Sequence, residues 1–184
     1  MVLAASKSLL KQEKVEMKSF ITAVVAAASM VAVAGCKPDQ NTIKELAKAT
    51  GTGVTIVWIA YDNPTAAQKA ALVDVLAKVK TAVVSVGTNG YVAVAYPVMQ
   101  AYVEGNANIP AIDKPLVMAG ALAVLSGIDI MFATHPDWKA GTDEAGKLAV
   151  AFIDGANVAL ALPASDPQIM KANEMNKARM GIKK

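Results

Sequence analysis

Two stretches set the terms for any fold of this 184-residue chain. Leu116 to Ala133 carries one charge, Asp129; Asp143 to Leu162, past its acidic start, carries only Lys147 and Asp154. Helices this apolar on most faces sit at the centre of a bundle or against lipid. Each has small residues inside it, Gly120 and Gly127 in one, Gly146 and Gly155 in the other, which let helix backbones approach closely. With only 5% aromatic residues, such a core has little volume per residue. Burying further surface in a homo-oligomer would offset that.

The rest of the chain reads as helix as well. Asn41–Thr50 places Ile43, Leu46 and Ala47 at helical spacing, with Gly51 as a stop. Gly53–Tyr61 is rich in β-branched and aromatic residues and reads as a strand or a buried helical entry. Asn63-Pro64 resembles a helix start, and the helix then runs to Val86 with Leu72, Val75, Leu76, Val79, Val83 and Val86 on one stripe. Tyr91–Glu104 continues at helical spacing despite Pro97. The alternative is a β-hairpin around residues 81–96, turning at Asn89-Gly90. Asp113 and Pro115 open the first apolar helix, Asp143–Leu162 forms the second, and Gln168–Met180 forms the last. The expected fold class is all-α: an Ala/Val-rich bundle of five or six helices in one domain, residues 41–184. The α+β fold with the small hairpin stays open beside it.

Composition excludes several function classes. A hydrophobic fraction of 54% rules out a disordered chain. One cysteine rules out an internal disulfide framework or a four-cysteine zinc site, and one histidine rules out a His-rich metal cluster within one chain. The formal net charge is +3, and from Cys36 onward 14 Lys+Arg face 13 Asp+Glu, so no nucleic-acid partner is expected. No cofactor is expected either: Gly51-Thr52-Gly53 lacks the rest of a dinucleotide fingerprint, and there is no P-loop.

The front of the chain carries an address. In Met17–Cys36, Lys18 supplies a positive start, Ile21–Ala34 is an uncharged stretch of fourteen residues, and Val33-Ala34-Gly35-Cys36 ends it. Those last four residues resemble the lipobox of bacterial lipoproteins: an aliphatic residue, two small ones and the cysteine. The resemblance implies that Cys36 receives a diacylglyceryl group, that the peptide before it is removed, and that the new N-terminus is acylated. Residues 1–35 are therefore expected to be a lipoprotein signal segment: Met1–Glu16 is longer than such signals carry, so either translation starts at Met17 or, from Met1, the n-region is long and basic, with Lys7, Lys11, Lys14 and Lys18 against Glu13 and Glu16. Residues 36–40 read as a polar linker. The alternative is a buried N-terminal helix with an inert free thiol. Lys37, where an Asp would resemble an inner-membrane retention signal, points to the outer membrane, facing the periplasm.

Three residues are candidates for a polar site. His135, in Thr134-His135-Pro136-Asp137-Trp138, would be a general base or pH switch with Asp137, or more plainly a helix C-terminal residue facing the dipole. Asp129 and Asp154 lie inside apolar helices, where an unpaired charge costs several kcal/mol, so each needs a partner or water. They would form an acid/base couple or a metal site, or pair with Lys147 and helix termini. Catalytic, metal and cofactor-binding residues are otherwise not expected.

The function expected is that of a non-enzymatic, lipid-anchored envelope protein acting through binding or self-assembly. Its partners would be membrane lipid through acylated Cys36 and a second copy or another envelope protein. A phage or prophage gene product fits its size. The alternative is a membrane-inserting or channel-forming protein using residues 116–133 and 145–162.

Overall fold

The computed structural model describes residues 39–84, 90–139 and 142–179. Among the described residues six α-helices follow one another: α1 (Gln40–Asp62), α2 (Ala66–Val83), α3 (Tyr91–Gly105), α4 (Lys114–Thr134), α5 (Thr142–Ala161) and α6 (Pro167–Arg179). A 3-10 turn, Pro136–Lys139, follows α4. There is no strand among the described residues, and the fold is an all-α bundle. Residues 1–38, including the expected signal segment and Cys36, lie outside the described residues.

The expected break at Gly51 does not occur, nor does a strand at 53–61. α1 runs through Gly51-Thr52-Gly53 as one 23-residue helix. Each glycine costs a helix about 1 kcal/mol relative to alanine, and packing overrides that. A Cβ on Gly51 would strike the Phe152 carbonyl, and one on Gly155 would strike that of Lys48, so α1 and α5 touch backbone to backbone. The Thr52 hydroxyl donates to Gly155 O at 3.0 Å across the same crossing. Asp39 caps α1 by accepting Thr42 N–H at 2.8 Å. Those hydrogen bonds hold its carboxyl below the usual carboxylate range. Of the expected linker 36–40, Asp39 and Gln40 thus belong to the helix start.

Asn63 ends α1 rather than starting α2. It sits in the left-handed region at φ 46° and returns its N–H to Ile59 O at 2.9 Å. Thr65 is the cap of α2, in a reciprocal box with Gln68. The predicted stripe Leu72, Val75, Leu76, Val79 and Val83 is fully buried. Val86 lies outside the described residues. The hairpin alternative fails on both flanks: residues 81–83 finish α2 and residues 91–96 begin α3. Pro97 stays inside α3 because it and Ala93, whose carbonyl it leaves unbonded, both face solvent. Asp113 occupies the cap position of α4 without a side-chain cap bond; its carboxylate accepts Gln68 Nε2 at 2.7 Å instead.

Contacts at the two ends fix the helix directions. Lys44 near the start of α1, Val84 just past α2 and Lys147 near the start of α5 line one cleft. At the other end Pro64, Ala66 and Leu160–Ala164 line a second. So α1 and α5 run the same way and α2 runs back between those ends. Asp129 meets the start of α3, and Lys114 Nζ donates to Glu104 O at 2.7 Å at its finish, making α3 and α4 antiparallel neighbours. α4 also lies against α1: built Cβ atoms on Gly120 and Gly127 would stand 2.7 Å from Trp58 Cζ2 and 3.4 Å from Val54 Cγ1. α6 packs on α1, with Ile169 buried.

α4 is the one helix among the described residues long and apolar enough to cross a membrane, and 56% of its most apolar window is buried inside the protein. Its main neighbours are α3 and α1, while the main neighbour of α5 is α1. The two apolar helices therefore do not form a closely paired hairpin with each other.

Candidate functional site

The three predicted polar residues go to three different places. Asp129, half-buried on α4, turns its carboxylate to the first amides of α3: Tyr91 N–H donates to Oδ1 at 2.9 Å and Val92 N–H to Oδ2 at 3.3 Å. The reason is local. α3 opens on Gly90 at φ 83°, which brings no side-chain cap of its own, and the positive end of a helix favours a carboxylate. Tyr91 is buried with its ring 5.4 Å from that of Phe132, stacked at 17°. Burial, and then the Asp129 charge beside it, push the Tyr91 phenol up to about 12.

Asp154 on α5 pairs with Lys80 on α2, Oδ1 to Nζ at 2.7 Å. Lys147, the partner the sequence suggested for it, pairs with Glu144 at 2.7 Å. That contact lowers the Glu144 carboxyl. His135 closes α4 as the plainer reading has it, its N–H returning to Met131 O at 3.0 Å. Its ring stacks on Trp138 with centroids 4.1 Å apart and planes 12° apart. Each candidate thus has a structural partner, and the structure does not join Asp129 to Asp154 as a couple. No group of three or more His, Cys, Asp or Glu side chains that could hold a metal ion occurs among the described residues.

Two clefts were not foreseen. One, about 550 Å³, lies where α1 and α5 end and α2 begins; it is lined by Pro64, Val73, Leu160, Leu162 and Asn157, with Lys69 Nζ donating to Leu162 O at 2.9 Å. The other, about 470 Å³, opens at the end where α1 and α5 begin and is lined by Lys44, Lys147, Asp154, Val84, Val150 and Ala151. No sequence motif announces them, because each is assembled from three helices far apart in the chain. The spacing of Val150, Ala151 and Asp154 on α5 places them on one face, which is the only local hint.

Comparison with protein-family models, with curated proteins and with solved structures finds no match for this chain.

Proposed function

We propose that this protein is a bacterial lipoprotein: a helical domain tethered to the cell envelope through an acylated Cys36, acting by binding or self-assembly and not by catalysis. The observation that carries the reading is the sequence around Cys36. The chain's lone cysteine follows two small residues and an aliphatic one at the end of a fourteen-residue uncharged run. One feature of the fold supports it: Asp39, three residues after the cysteine, caps α1, so a capped helix of the bundle starts directly behind the proposed tether. The three polar candidates, each held by a capping, ion-pair or stacking contact, support a non-catalytic domain. Lys37 favours the periplasmic face of the outer membrane.

The test is the intact mass of the protein made in a bacterium, together with incorporation of labelled palmitate. The expected species begins at Cys36 and carries a diacylglyceryl group and a further acyl chain; Cys36→Ser should abolish both adduct and label. An unmodified chain beginning at Met1 would overturn the proposal.

A further inference from the structure

We propose that the cleft between Lys44, Val84 and Lys147 is a binding site for the headgroup of an anionic phospholipid, seating the bundle end-on against the bilayer. This rests on the lipoprotein reading for its orientation and on the cleft itself for its chemistry. The cleft opens at the end of the bundle where α1 begins. Lys44 lies five residues past Asp39, under two helical turns from the cap, and Cys36 precedes that cap by three residues. Three extended residues reach about 10 Å. A tether on Cys36 therefore holds this end, and not the end carrying Pro64 and Leu162, against lipid.

The lining has the character such a ligand needs. Val84 leaves 56% of its surface exposed, beside Val150 and Ala151. The exposed Val84 would meet the first carbons below a headgroup, while the ammonium groups of Lys44 and Lys147 would meet its phosphate. Asp154, which also lines the cleft, pairs with Lys80, and Glu144 pairs with Lys147, both at 2.7 Å, while the Lys44 charge also acts on Glu144. Among the described lining residues two lysines stand against one carboxylate, a surplus of one positive charge. A cleft of about 470 Å³ accommodates a phosphoglycerol headgroup with its ester linkages.

The experiment uses the full protein as purified from a bacterium, reconstituted into vesicles of phosphatidylcholine alone or with a quarter phosphatidylglycerol. Lysines are acetylated briefly and their rates read by mass spectrometry, with Lys171 on α6 as reference. Lys44 and Lys147 should react about fivefold more slowly in the phosphatidylglycerol vesicles than in phosphatidylcholine, the factor set by one basic side chain's attraction to an anionic surface. In a Lys44→Gln variant that protection should be lost at Lys147 as well. Equal protection in both vesicles would mean burial without headgroup recognition and would overturn the site. Equal protection by millimolar inorganic phosphate without vesicles would assign the cleft to a free anion instead, and also overturn it. If the Cys36 adduct is present and neither lysine is protected, the site fails while the anchor stands. If the adduct is missing, the anchor fails, and the same protein mixed with phosphatidylglycerol vesicles decides the cleft alone: protection upholds it, and unchanged rates end it.

Discussion

Asp129 caps a helix to which it does not belong: its Oδ1 accepts the backbone N–H of Tyr91, the first residue of α3, at 2.9 Å. One carboxylate in the middle of an apolar helix thereby supplies what Gly90 cannot, a side-chain acceptor for the free amides of the next-door helix. Replacing it with alanine should cost about 1–2 kcal/mol, the usual range for loss of a cap. Asp129→Asn, which keeps an acceptor oxygen, should cost less. Urea denaturation of the two variants checks the order; equal stability of all three proteins would show that the amides are as well served by water.

The same junction makes stability sensitive to alkali. The Tyr91 phenol is raised from its usual 10.0 to about 12 by burial and by Asp129. In the unfolded chain that phenol loses its proton near 10, while in the fold it stays neutral until about 12. Stability is therefore intact below pH 10 and is lost progressively between about 10 and 12. Following unfolding free energy against pH should show that decline, shallower in Tyr91→Phe. A Tyr91→Phe profile identical to the parent's would remove the burial argument.

The crossing of α1 and α5 is expected to tolerate no side chain at its two glycines. Gly51→Ala and Gly155→Ala each push a methyl into a facing backbone carbonyl. Backbone cannot swing aside as a side-chain tip can, so a loss of about 3 kcal/mol or more is expected for each. Gly105→Ala, with nothing within 4 Å of the added carbon, should be near neutral. Thermal melts of the three variants read this directly, and a mild effect at Gly51 would mean that the helices can separate cheaply.

Those glycines also explain where the sequence could be read and where it could not. The apolar periodicity of α2 and the length of the two apolar runs are local signals, and the structure follows them closely. Gly51 looked like a stop because helix propensity is a local quantity. What keeps it helical is the carbonyl of Phe152, 101 positions away in the chain. Asn63-Pro64 misled for a related reason: asparagine serves equally as a cap and as a left-handed helix end, and the box formed by Thr65 and Gln68 decides between them. For the polar candidates, the need for a partner was legible and its identity was not. Lys80 and the α3 amides reach Asp154 and Asp129 only once four helices have packed.

Pro97 offers a stabilising substitution. It removes a hydrogen bond from the interior of α3 without filling any core space, since its side chain faces solvent. Pro97→Ala should raise stability by about 1–2 kcal/mol, the helix-interior cost of proline less the entropy it takes from the unfolded chain. A lower midpoint in urea for Pro97→Ala would mean that a bend at this position is needed to keep Tyr91 and Tyr102 packed.

Burial of α4 sets what insertion would cost compared with tethering. The helix has the length and apolarity to cross a bilayer, yet it presents Val117, Ala121, Val124, Ile128 and Met131 to its neighbours inside the bundle. Turning those residues to lipid would expose the faces of α1, α2 and α3 that now cover them, so insertion requires the bundle to open. A chain beginning at Lys37, lacking both the signal segment and the cysteine, should accordingly be found in the soluble fraction and wash off membranes in alkaline carbonate, whereas the complete chain should stay with them. If the shortened chain resists carbonate extraction, α4 has left the core for the bilayer, and the tether at Cys36 is not what holds this protein to the envelope.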